Sequence, residues 1–299
     1  MNFLKACFFS VLMLLGVQAN AYTTNTVRIL IVFTPSSHNA LLGRVPWVDC
    51  VDAACFSAVF VSKLNVATKL PSLPTGHNDP SSTIIDNEIA GIITVPDTNM
   101  TGLMGTALFS LRKNPAVIAA RKTLEADVVM AFVNTVEGNS FDDYGATMPF
   151  GGPGNAFSVV NVYKALQNDR WSALHEYGHL LGASHLDGAF QGTRPTGYPN
   201  PTYDCFTDVL VPLYDSRRQD TACKAKWPNG NPPNVTTDSV IRFPYFSTEF
   251  KANESPWTYV GDSSHNALKA MQLNSYVVMN YHKRRIDCGF WCAILDSFR

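Results

Sequence analysis

Two histidines four residues apart enclose a glutamate in the run His175-Glu176-Tyr177-Gly178-His179. On a helix, positions four apart project from one face, so both imidazoles can reach a single ion. Imidazole nitrogen binds zinc at about 2.0–2.1 Å. Glu176 stands one residue beyond His175, a turn of about 100° around the axis. From there it can reach a metal-bound water without filling a ligand position. Gly182 is where the helix is expected to stop, because glycine tolerates the left-handed backbone that turns a chain. The turned chain then returns His185 as a third ligand. Three protein nitrogens leave a fourth position open, which is the catalytic arrangement of zinc and not the closed structural one. The expected cofactor is one Zn2+ on His175, His179 and His185, with Glu176 as general base. A bare H-E-x-x-H arises by chance in about one in several dozen chains of this size; the fixed glycine and third histidine lower that to about one in ten thousand.

Such a motif needs a helix, and residues 169–181 read as one, capped by Asn168 or Asp169. The β-branched apolar runs 26–34, 127–133 and 156–163 predict buried strands, the first ended by Pro35. Helical spacing of apolar residues marks 56–69 and 116–126. Residues 71–82 are turn-rich, and 84–95 form a short apolar piece. The loop 151–155 lacks the Lys-Ser/Thr of a phosphate-binding loop, so no nucleotide site is expected. Residues 186–240 are rich in Pro, Gly, Asn, Thr and Asp, an irregular stretch long enough to suggest function. A helix over 265–284 follows. One catalytic unit fits this order, an upper α/β part over about 22–185 and a lower irregular part over about 186–299.

With 46% hydrophobic and 16% charged residues, the 299-residue chain can bury a sizeable core. A net charge of -1 lacks the basic excess of a nucleic-acid binder. Lys5, the apolar residues 6–17 and the small-x-small site Ala19-Asn20-Ala21 read as a secretory signal cut after Ala21. The apolar run is shorter than the roughly 20 residues of a membrane-spanning helix. The expected mature chain, 22–299, is therefore exported, to the periplasm or beyond, with no integral membrane segment. Six cysteines remain, and local pairing would join Cys50–Cys55, Cys205–Cys223 and Cys288–Cys292. His38, His77, His265 and His282 lie in no ligand spacing and are expected at surface or capping positions.

The motif at 175–185 resembles that of the metzincin zinc peptidases, and the wider order resembles their reprolysin/adamalysin-like branch. Val27 to Pro35 is similar to that branch's opening strand, and Ala120 through Val129 to its helix-then-strand segment. Gly151 to Val160 is similar to the loop and strand before its active-site helix, and Phe243 to Ser247 with Asn266-Ala267 to its C-terminal segment. The resemblance implies a zincin-like α/β (α+β) fold: a mixed, mostly parallel five-stranded sheet, an active-site helix, and a cleft above a smaller C-terminal subdomain. Two positions depart from the pattern. The branch usually places Asp directly after the third histidine, whereas here Leu186 precedes Asp187. Metzincins also set a Met in a turn beneath the zinc, and the best-aligned stretch, 210–215, puts Pro212 there. Met279 instead falls in the expected terminal helix, on its apolar face, and Tyr214 reads as a packed turn residue.

The expected function is secreted zinc-dependent endopeptidase action on protein or peptide substrates. Two other readings stand beside it: an inactive secreted binding protein on a metzincin scaffold, and a zinc hydrolase of a non-protein amide such as a cell-wall peptide. The sequence leaves the oligomeric state open.

Overall fold

A computed structural model describes residues 23–43, 45, 48–68, 83–134, 144–167, 170–185, 190–191, 205–207, 210, 240–242, 246 and 266–283. The expected signal, 1–21, and the pairings Cys205–Cys223 and Cys288–Cys292 lie outside the described residues. The Cys50–Cys55 disulfide is formed.

Strand β1 (Thr23–Phe33) sends Val27, Ile29, Ile31 and Phe33 into one core and Leu30 and Val32 into another. Successive strand side chains point to opposite faces, so a strand apolar on both belongs inside a covered sheet. The later strand β3 (Val128–Val133) obeys the same rule, with Val128, Met130 and Phe132 on the first face and Val129, Ala131 and Val133 on the second. With β2 (Thr83–Thr94), β4 (Gly145–Thr147) and β5 (Phe157–Asn161) they form a five-stranded sheet in the order β2-β1-β3-β5-β4. Every pairing is parallel except that of β4, which runs antiparallel to β5 at the sheet's edge.

Helices α1 (Pro35–Leu42), α2 (Ala53–Thr68), α5 (Ser172–Leu180) and α6 (Ala267–Val278) contribute to the core on the first face. Helices α3 (Met104–Lys113) and α4 (Pro115–Thr123) contribute to the core on the second. The fold is thus a mixed α/β architecture with a mostly parallel sheet between helical layers. Three short strands, β6 (Phe190–Gln191), β7 (Cys205–Thr207) and β8 (Val240–Arg242), form a second sheet in that order, within and just beyond the stretch expected to be irregular.

Several expectations shift. Pro35 ends β1 but also opens α1, where its missing N–H costs nothing. Thr34 caps that helix, and its own N–H donates to Ser37 Oγ at 2.8 Å. The piece 84–95 is an edge strand to Thr94, β2, in which only Ile85 and Asn87 are buried. The metal helix begins at Ser172 and not at 169, and the expected caps Asn168 and Asp169 lie outside the described residues. Its N-cap is Trp171, in the left-handed region at φ 50, with no side-chain capping hydrogen bond. The loop expected at 151–155 holds a turn of 3₁₀ helix, Pro153–Asn155, pinned by buried Arg121. That guanidinium donates to Pro153 O at 2.5 Å, Ala126 O at 3.2 Å and Asp127 O, tying the entry of β5 to that of β3.

Candidate metal centre

Helix α5 stops as glycine chemistry requires. Gly182 adopts φ +80, its N–H donates to His179 O at 2.9 Å, and Ala183 N–H donates to Gly178 O at 3.0 Å. This is a Schellman closure, and it satisfies carbonyls that the last helical turn would leave bare. The chain reverses over Gly182, and His185 comes back across the end of the helix.

The outcome is a triangle of Nε2 atoms. His175 to His179 is 3.1 Å, His179 to His185 is 3.0 Å and His185 to His175 is 3.2 Å. Nitrogens bonded tetrahedrally to one ion at 2.0–2.1 Å would stand about 3.3–3.4 Å apart, so the set suits a metal with little adjustment. Among the described residues these three are the group able to hold an ion. His179 Nδ1 lies 2.8 Å from Ala183 O. A proton on Nδ1 donates to that carbonyl and leaves the Nε2 lone pair turned to the metal position.

Glu176, which follows His175 in the chain, is buried and rests on β4. Thr147 Oγ1 donates to Glu176 Oε2 at 2.6 Å. At Gly145, a Cβ would stand 2.5 Å from Glu176 Cγ and 2.7 Å from Oε1, so only glycine lets the side chain lie flat there. Neither residue was marked by the sequence, because three strand residues inside a loop carry no periodic signal.

Beneath the helix, Gly178 makes room for Leu210 and Phe246, whose side chains would lie 2.6 and 2.8 Å from an added Cβ. Leu210 opens the 210–215 stretch aligned with the metzincin turn, and it is fully buried against the metal helix. Asp187, Pro212 and Tyr214 lie outside the described residues. Met279 is the C-cap of α6, half-buried and with helical backbone, its N–H donating to Ser275 O at 2.9 Å.

The helix is also tied from behind. Tyr177 is fully buried, and its hydroxyl donates to Asn87 Oδ1 of β2. Asn87 Nδ2 in turn donates to Asn65 Oδ1 at 2.9 Å and Thr68 Oγ1 at 3.0 Å, both on α2. Burial, with the Asp127 carboxylate second, pushes the Tyr177 phenol well above its usual range, which keeps it a donor. Tyr177→Phe would leave the buried Asn87 oxygen without this donor. The expected cost is about 1–3 kcal/mol, read as a lower urea midpoint with an unchanged slope.

Of the histidines outside the motif, His38 lies 3.1 Å from Thr94 Oγ1, an exposed pairing consistent with its expected place. His282 is corrected: its Nδ1 meets the fully buried Asp127 at 2.7 Å. Asp127 also accepts from Arg28 N–H at 3.0 Å, so the pair fastens the chain after α6 to the base of the sheet. His77 and His265 lie outside the described residues. Among the described residues, no helix is long and apolar enough to cross a membrane.

No protein-family model matches the chain, and no curated protein matches it. Among solved structures, one described as "Structure of a chaperone-substrate complex" is similar, with a TM-score of 0.51 at 17% identity. The likeness covers 86% of this chain but 35% of that one, and at this identity it shows shared fold alone.

Proposed function

We propose that this chain is an exported zinc-dependent endopeptidase of metzincin type. The observation that carries this reading is the convergence of three imidazole nitrogens, with a buried glutamate directly after the first of them in the chain. Three neutral nitrogen ligands with an open fourth position favour zinc in a hydrolytic role. When bound, zinc supplies Lewis acidity, polarising a peptide carbonyl and lowering the pKa of a water. Glu176 takes the proton of the attacking water and passes it to the leaving amine nitrogen.

The neighbouring strand supports a peptide substrate. Asn161 N–H donates to Tyr144 O and Met148 N–H donates to Phe157 O, both inward toward β5. Antiparallel alternation then turns the N–H and C=O of Gly145 and Thr147 away from β5, toward the outer side of the sheet. Such an edge can receive an extended peptide as an added strand. Glu176 lies against these same two residues. The Cys50–Cys55 disulfide agrees with an oxidising destination.

The test is digestion of a peptide library, with casein as a protein substrate. Cleavage is expected to stop on chelation and to return with added zinc. A zinc-loaded protein that cleaves nothing, or cleavage indifferent to the chelator, would reject the reading. The first result would favour the inactive binder.

A further inference from the structure

We infer that Thr147 is a positioning residue for Glu176, its hydroxyl holding the general base on the edge strand that receives the substrate. The inference rests on the peptidase reading above and adds to it the group that aims the base.

Thr147 Oγ1 has three oxygens within reach: Glu176 Oε2 at 2.6 Å, Ser158 Oγ at 3.0 Å and the Glu176 carbonyl at 3.2 Å. A hydroxyl carries one proton, and a carboxylate is its strongest acceptor here. The shortest contact is the one to Oε2, as that ranking requires. Ser158 is fully buried and stands directly opposite Thr147 in the β4–β5 register. Its Oγ is an alternative acceptor for the Thr147 proton at the longer distance of 3.0 Å, against 2.6 Å to Glu176 Oε2.

The strand supplies the geometry. Gly145 and Thr147 present one face to Glu176, while Ala146 and Met148 pack against the opposite core. Gly145 admits the Glu176 stem, and Thr147 fixes its end. A glutamate has three side-chain torsions, and without a tether its carboxylate samples several rotamers. Misplacement of a reacting group by about 1 Å can cost about a hundredfold in rate. The Thr147 backbone, by contrast, serves the substrate strand and is unaffected by loss of the hydroxyl. Base placement and substrate pairing therefore meet at one residue through separate atoms.

The experiment compares Thr147→Val and Thr147→Ser with wild type as zinc-loaded mature protein on one cleaved peptide. Thr147→Val is expected to lower kcat about 10- to 100-fold, with KM within about twofold and zinc content unchanged. Thr147→Ser is expected to recover most of the loss. A second readout needs neither zinc nor turnover: a thermal double-mutant cycle of Thr147→Val and Glu176→Ala in zinc-free protein. A combined loss in Tm smaller than the sum of the single losses supports the contact.

A wild-type kcat in Thr147→Val, or additive losses in Tm, would overturn the inference. So would a loss carried by KM that Thr147→Ser fails to restore. A wild type inert on every peptide overturns the peptidase reading and the catalytic role of Thr147 with it, even with thermal coupling intact. Absent coupling in an active enzyme overturns the Thr147 assignment alone.

Discussion

Glu176→Gln is expected to keep one zinc per chain and lose about 10²- to 10⁴-fold in peptide cleavage, the range attributed to a general base. Glutamine has nearly the shape of glutamate. It can lie over Gly145 as Glu176 does, and its amide oxygen can still accept from Thr147. What it cannot do is take up a proton. The substitution therefore separates shape from chemistry at a residue that rests on β4 and follows the first histidine. Metal analysis and steady-state cleavage on the same preparation give both readings. A variant with wild-type turnover removes Glu176 from the mechanism. One that loses zinc assigns it to the metal shell.

Gly182→Ala should act on the metal and not on the sheet. Gly182 sits at φ +80, and an alanine Cβ there would lie 2.5 Å from Asn274 Nδ2 and 3.1 Å from Phe150 Cγ. The left-handed backbone alone costs a residue with a Cβ about 1–2 kcal/mol. In zinc-free protein the turn can relax and let His185 drift. Zinc binding would force the turn back, so the strain appears in metal affinity. At 1.4 kcal/mol per tenfold, that is a loss of about five- to thirtyfold, before the crowding is counted. Competition against a chelating dye measures it, with far-UV circular dichroism as the check that the fold persists. An unchanged zinc affinity would mean that His185 is placed by something other than this turn.

The three histidines and Glu176 were legible because their relation is local: helix period and a glycine stop set their meeting within eleven residues. The central strands β1, β3 and β5 were legible because burial on both faces writes a continuous apolar run. Edge strands write no such run. β2 carries Asp86, Asn87 and Glu88 in mid-strand, and its buried Asn87 is explained by Tyr177, ninety residues away. β4 has three residues and one buried partner strand. Trp171 replaces the expected polar cap for a tertiary reason, since its side chain is buried in the core below the helix. His282 and Asp127 are separated by 155 positions, so no spacing rule could join them. Local chemistry was readable in advance, whereas the groups that orient it belong to other segments and became visible only with the fold.

Leu210 and Phe246 give this division a practical edge. A fragment ending at His185 would contain every member of the motif and all five strands of the large sheet. It would also bare the underside of the metal helix at Gly178, where those two side chains sit, and strip α6 from the same core. The shortest piece able to keep its imidazoles in formation is therefore much longer than the motif, because the far third of the polypeptide is the foundation on which the reactive end stands.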